Sequence, residues 1–236
     1  MSQMKVVIAG GTSGIGLATA ALLAKENAAV TITGRNPQKM EEALATLPAN
    51  VKGQCVDAVN TDHIKAFMAA HGAIDHLVIA LSGAKGGGLF KELDLAQLQA
   101  GFAEKFFPQL QTLQAALPYL SANGSVTLIT AVSGHAKAPG TSGLGAINGG
   151  LEIMVPILAK ELQPLRINAV SPGVIDTPWW SFLPEEARSA TFQQYAQAAP
   201  AGRVGKPEDI AAVIAQLIHN TFMTGQVVTV DGGLGL

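Results

Sequence analysis

One stretch near the start constrains the fold more than any other: "KVVIAGGTSGIGLATAALLAKEN", residues 5–27. An apolar, β-branched run breaks at glycines and passes straight into a helical pattern of small and apolar residues. A buried strand handed to a helix through so tight a turn is the first half of a βαβ unit, whose second strand must run parallel to the first.

The rest of the chain repeats that unit. Strand-like runs are "AVTITG" (29–34), "VKGQCVDA" (51–58), "IDHLVIAL" (74–81), "GSVTLIT" (124–130), "LRINAVSPG" (165–173) and "GQVVTVDGG" (225–233). Helical patterns fall between them over 16–27, 37–47, 61–71, 95–118 and 143–163. Pro37 suits a first helical turn, and Thr61 or Asp62 suits a cap. This alternation predicts an α/β fold, a doubly wound and mostly parallel sheet of about seven strands with helices on both faces. The 236 residues suit one domain, and a composition 48% hydrophobic and 14% charged supplies its core. Residues 174–200, "VIDTPWWSFLPEEARSATFQQYAQAAP", are the least regular, and their two adjacent tryptophans predict a segment that covers a site.

Several functions are disfavoured. A net charge of −2 without a basic run gives no footprint for nucleic acid or an anionic membrane. No apolar stretch is expected to reach the roughly 20 residues a bilayer needs. The single cysteine, Cys55, allows no internal disulfide, fits a reducing compartment, and in "GQCVDAV" is expected to be a buried, inert thiol. "MSQMKVVIAGG" has no basic n-region or cleavage site, so the expectation is a soluble, cytoplasmic protein. The five histidines (63, 71, 76, 135, 219) lack ligand spacing, and no metal is expected.

Gly10, Gly14 and Gly16 follow the first strand and open a helix. That placement lets backbone N–H groups and the positive helix end meet a pyrophosphate, the alternative being an ordinary glycine-rich turn. The spacing resembles the T-G-x-x-x-G-x-G pattern of short-chain dehydrogenases/reductases, with Ala9 in place of the usual threonine. "SPGVIDTP" (171–178) resembles that family's P-G-x-x-x-T segment, and "GRVGKPEDIAAVI" and "TGQVVTVDGG" resemble its last helix and strand. The resemblance spans nearly the whole chain and implies a Rossmann-type oxidoreductase using a nicotinamide dinucleotide. It assigns cofactor contacts to Gly10, Thr12, Ser13, Gly14, Ile15 and Gly16, to Asp57 and Ala58 after the third strand, and to Leu81, Ser82 and Gly83 after the fourth. Lys105, Pro172, Gly173, Ile175 and Thr177 complete the set. Where an acid would hold the adenosine ribose, the chain has Gly34 followed by Arg35 and Asn36. A guanidinium fork suits a 2′-phosphate, so NADP(H) is expected over NAD(H), unless Arg35 is simply solvated.

The family's proton donor is a tyrosine four residues before a lysine, aided by a serine and by an asparagine on the preceding helix. The resemblance places Leu144 at the tyrosine, Asn148 at the lysine, Ala131 at the serine and Lys105 at the asparagine. Lysine and asparagine thus look exchanged between two positions that, by the resemblance, face each other beneath the nicotinamide ribose. Lys105, beside Phe106 and Phe107, is expected to bind that ribose and to act as proton donor or electrostatic stabiliser with Asn148 orienting it. A surface lysine is the alternative. Ser133 and His135 are further candidate donors, or ordinary loop residues. The expected function is an NADP(H)-dependent oxidoreductase with a non-standard active centre. Its small carbonyl or alcohol substrate would be held near Leu144, Trp179, Trp180 and Phe182. The alternative is a catalytically silent NADP(H)-binding sensor or structural protein. The resemblance also implies a homodimer or homotetramer paired through the helices at 95–118 and 143–163.

Overall fold

Seven parallel strands build the centre of the computed structural model, which describes residues 3–236. They are β1 (Lys5–Ala9), β2 (Ala29–Gly34), β3 (Lys52–Cys55), β4 (Ile74–Ile79), β5 (Leu120–Ile129), β6 (Arg166–Pro172) and β7 (Val227–Val230), in the order β3-β2-β1-β4-β5-β6-β7. Val6 pairs with Val30 on one side and with His76 on the other. The chain therefore leaves β1 in both directions across the sheet, and the crevice between β1 and β4 is its topological switch point.

Alternation within β1 divides the core. Val6 and Ile8 point to one face, where Leu23 of α1 (Gly14–Lys25), Met40 of α2 (Pro37–Thr46) and Ile210 and Ile214 of α8 (Pro207–His219) cover them. Val7 and Ala9 point to the other, under Ile64 and Phe67 of α3 (Thr61–His71), Leu113 of α5 (Phe107–Ala116) and Val155 of α6 (Ser142–Glu161). The remaining helices are α4 (Leu95–Gly101) and α7 (Glu185–Ala198). Both faces of the sheet are covered, so the central strands are continuous apolar runs.

Four expectations need correcting. Cys55 is exposed, because β3 is the edge strand and is itself exposed along its length. The cap of α3 is Asn60, whose Oδ1 accepts from the N–H groups of Asp62 at 3.0 Å and His63 at 3.2 Å. The helix expected over 95–118 is interrupted: α4 and α5 are joined by a π-helical segment, Phe102–Phe106. Finally, α6 has 20 residues and is apolar enough, by length and composition, to cross a bilayer. It is a core helix: Ile147, Leu151 and Val155 form a buried stripe at four-residue spacing, and Asn148 and Glu152 make hydrogen bonds on its inner side.

Candidate active site

All the sequence-designated residues lie at the carboxyl end of the sheet or on the helices facing it. After β1, Gly10 has φ +84°, and a Cβ there would lie 2.6 Å from the carbonyl oxygen of Ala80. A Cβ on Gly16 would collide with the carbonyl oxygen of Gly10. Thr12, Ser13 and Ile15 complete this turn. Ser13 caps α1 without a side-chain hydrogen bond and no acid occupies the first turn, so the N–H groups at that helix end are open to an anion.

At the end of β2, a Cβ on Gly34 would fall 2.7 Å from Cγ2 of Thr12, so any side chain there would force Thr12 to shift. Arg35 is exposed and makes no hydrogen bond or ion pair among the described residues. Asn36 caps α2 by accepting from Lys39 N–H at 3.0 Å, which leaves its amide nitrogen unpaired. Past β3, Asp57 accepts from Val59 N–H at 3.1 Å, and Ala58 packs against the core. Past β4, the carbonyl of Leu81 accepts from Gln109 Nε2 at 3.0 Å, Ser82 is exposed, and the carbonyl of Gly83 accepts from Trp179 Nε1 at 3.2 Å. Pro172 ends β6 and Gly173 follows it, Ile175 is buried, and Thr177 Oγ1 accepts from Trp179 N–H at 3.4 Å. Trp179, Trp180, Phe182, Phe192 and Tyr195 then form a continuous aromatic cluster.

Lys105 lies in the π-helical segment and is only 7% exposed, which sets aside a surface lysine. Its Nζ donates to the carbonyl oxygen of Thr130 at 3.1 Å. Burial pushes its pKa down to about 8, against the opposing pull of the Glu152 carboxylate. A π-helical turn of this kind often marks a functional site.

Asn148 does not orient Lys105 through a hydrogen bond. Its Nδ2 donates instead to the carbonyl of Leu144 and to Ser133 Oγ, each at 3.0 Å, while its buried Oδ1 has no partner. An unpaired buried acceptor is costly, and Asn148 Oδ1 is one of six buried side-chain N or O atoms without a partner among the described residues. Ser133 faces inward against Asn148. His135 is turned toward Glu152, with Nδ1 3.2 Å from Oε2. Leu144 is half-buried near Gly87 and offers only hydrocarbon. A cleft of about 570 Å³ opens beside these residues, lined by Leu89, Phe90, Ser133, His135, Lys137 and Thr141.

The sequence reading missed Glu152. Its Oε1 accepts from Thr130 Oγ1 at 2.9 Å and from Ser171 Oγ at 2.8 Å. The available signal was a lone acid in the apolar run "LEIMV", one helical turn beyond Asn148.

A parallel sheet with its switch point beside a glycine turn at a helix N-terminus defines a Rossmann-type α/β protein. The comparisons then narrow the class. The family model described as enoyl-(acyl carrier protein) reductase matches residues 9–235. The chain is 33% identical to 3-oxoacyl-[acyl-carrier-protein] reductase FabG of Thermotoga maritima, over 97% of this chain and 96% of that one. It is 31% identical to carbonyl reductase family member 4 of Xenopus laevis, over 100% and 99%. A solved small-chain dehydrogenase in complex with NADPH superposes with a TM-score of 0.88 at 29% identity, covering 99% of each chain. The protein belongs to the short-chain dehydrogenase/reductase family.

Proposed function

We propose that this protein is an NADP(H)-dependent oxidoreductase acting on a small carbonyl or alcohol through a non-standard active centre. The observation that carries the reading is the presence of a buried lysine, Lys105, and a buried unpartnered acceptor, Asn148 Oδ1, on the elements that face the carboxyl end of the sheet, where the glycine turn lies. The residues fit the cofactor. The open N–H groups of α1 suit a pyrophosphate, Asn148 Oδ1 suits a ribose hydroxyl, and Gly34 with an unpaired Arg35 suits a 2′-phosphate rather than a free diol. The relatives named as carbonyl and oxoacyl reductases, and the NADPH bound to a solved neighbour, support the same direction.

When bound, NADPH supplies a hydride to a carbonyl carbon. The protein must then stabilise negative charge on the oxygen and deliver a proton to it. Lys105 can do both, having one hydrogen bond to Thr130 and two further N–H donors. A pKa of about 8 makes it a better acid near neutral pH than an ordinary lysine. Ser133, held by Asn148, offers a hydroxyl proton toward the adjoining cleft. The aromatic cluster from Trp179 to Tyr195 covers the site and excludes water. Exposed Phe107, Ile153 and Ile157 on α5 and α6 support pairing into a homodimer or homotetramer through those helices.

A second reading is a silent NADP(H)-binding sensor, favoured by the hydrocarbon of Leu144 where the family keeps its tyrosine. One assay separates them: NADPH and NADH binding measured beside NADPH consumption over a panel of carbonyls. Turnover supports the enzyme, whereas tight NADPH binding without turnover on any carbonyl supports the sensor. No binding of either nucleotide overturns both. Arg35→Ala should weaken NADPH at least about tenfold and leave NADH unchanged.

A further inference from the structure

Lys105 is one member of a buried polar cluster with a second charged member and an outer clamp. Thr130 is the hinge between the two charges: its carbonyl oxygen takes the Lys105 ammonium at 3.1 Å, and its hydroxyl donates to Glu152 Oε1 at 2.9 Å. Ser171 of β6 donates to the same oxygen at 2.8 Å. The other oxygen, Oε2, faces His135 Nδ1 at 3.2 Å, and His135 Nε2 lies 3.4 Å from Thr229 Oγ1 of β7. A carboxylate opposite Nδ1 requires a proton on Nδ1, and in the neutral ring Nε2 then accepts from the threonine hydroxyl. The Glu152 side chain is 11% exposed, so a carboxylate has been desolvated and given three donors.

Three hydroxyl or imidazole donors are more than a structural staple needs, and a neutral glutamine of the same size would spare the desolvation of a charge. What a glutamine could not supply is a negative charge beside Lys105. Among the described residues no other acid competes for that role. Glu104, adjacent in sequence, is paired with Lys85 and turned toward Gly83. The titratable groups of the cluster are Lys105 from the π-helical segment, Glu152 from α6 and His135 from the loop after β5. The facing residues of β6 and β7, Ser171 and Thr229, carry no charge.

We propose that Glu152 is a positioning residue whose carboxylate, fixed by Thr130, Ser171 and His135, is the counter-charge that keeps the Lys105 ammonium charged and aimed into the site. The catalytic consequence rests on the reading of Lys105 as the acid of a carbonyl reductase. The electrostatic coupling does not, and is measurable in the protein without nucleotide or substrate. Burial pushes the Lys105 pKa down to about 8 even with Glu152 present, so removing the carboxylate must push it lower.

The test is a pH titration of the full-length protein by carbon-13 NMR, reading the lysine Cε and glutamate carboxyl signals of Lys105 and Glu152. In the wild type the Lys105 signal should move with a midpoint near its depressed value, and the Glu152 carboxyl signal should show a step at that same pH. In Glu152→Gln the Lys105 midpoint should fall by about one unit, since an opposite charge nearby favours the charged form by that order. A Glu152 signal that stays flat while Lys105 titrates overturns the proposal, as does an unchanged Lys105 midpoint in the variant. Should Glu152→Gln fail to fold, the wild-type coupling decides. Coupling without NADPH consumption on any carbonyl would uphold this inference and defeat the proposed function. Turnover without coupling would do the reverse.

Discussion

Trp179 donates its indole N–H to the carbonyl oxygen of Gly83 at 3.2 Å, joining the segment after β6 to the end of β4 across 96 residues of chain. The same ring meets Trp180 edge-on at 4.8 Å and Phe182 at 5.2 Å. One hydrogen bond therefore ties the whole aromatic cluster to the rim of the site. Trp179→Phe keeps the apolar ring and deletes the donor. A hydrogen bond of this kind contributes about 1 kcal/mol, so NADPH dissociation should quicken about fivefold. Limited proteolysis within 174–200 should accelerate with it. Unchanged dissociation in stopped-flow fluorescence would show that the tie plays no part in retention.

Gly16→Ala tests the phosphate turn. The added methyl would collide with the carbonyl oxygen of Gly10, a backbone atom that cannot rotate away as a side chain could. The turn must open, and its N–H groups lose their common aim. NADPH affinity measured by calorimetry should fall more than about tenfold, because several charge-assisted hydrogen bonds depend on that aim. Retained affinity would mean that the pyrophosphate is held elsewhere.

Lys105 makes the fold less stable in its charged form. Its pKa is about 8 folded against an ordinary 10.5, the shift arising first from burial. Between those values the unfolded chain holds a proton that the folded one has released, so the Lys105 contribution to stability rises as pH climbs from 8 toward 10.5. Below pH 8 the penalty is present in full, about 3 kcal/mol by linkage. Lys105→Met removes the charge and keeps much of the volume. Urea unfolding at pH 7 should show a more stable variant that has lost NADPH affinity. A less stable variant would mean that the hydrogen bond to Thr130 outweighs the cost of burial.

The strands and their order of appearance were legible because parallel strands buried on both faces must be apolar along their length, as "KVVIAG" and "IDHLVIAL" are. Cys55 misled because apolar Val56 and Ala58 follow it, whereas β3 itself, "KGQC", lies exposed at the sheet edge, a position fixed only when all seven strands are assembled. Asn60 was passed over for Thr61 and Asp62 because each is a good capping residue and only the local backbone chooses among them. Lys105 stood out as a lysine beside two phenylalanines, but that neighbourhood also allows a surface lysine, since Phe107 is itself exposed while Lys105 is buried. The π-helical turn that carries it left no mark in composition. Glu152 stayed hidden for a different reason: its partners are Thr130, just past β5, and Ser171 of β6, and only the assembled sheet brings them to one oxygen.

His76 is expected to lower the stability of the fold at acid pH. It sits on β4 in register with Ser125 of β5, its Nδ1 2.8 Å from the serine hydroxyl. Burial first, and the Arg166 charge second, push its pKa down to about 4 from an ordinary 6.5. Above pH 6.5 the imidazole is neutral in both states and costs nothing. As pH falls from 6.5 through 4, the unfolded chain takes up a proton that the folded one refuses, and stability is lost by up to about 3 kcal/mol. His71, also depressed by burial, adds to the loss in the same direction. Arg166 cannot move to relieve the repulsion, because its guanidinium donates to the carbonyl oxygens of Leu217, Ile218, Asn220 and Met223 at the end of α8. His76→Gln retains a polar partner for Ser125 and cannot take up the proton. Urea unfolding at several pH values between 7.5 and 4.5 should show a shallower decline in stability for this variant than for the wild type. Equal slopes would transfer the acid sensitivity to groups outside the β4–β5 pair.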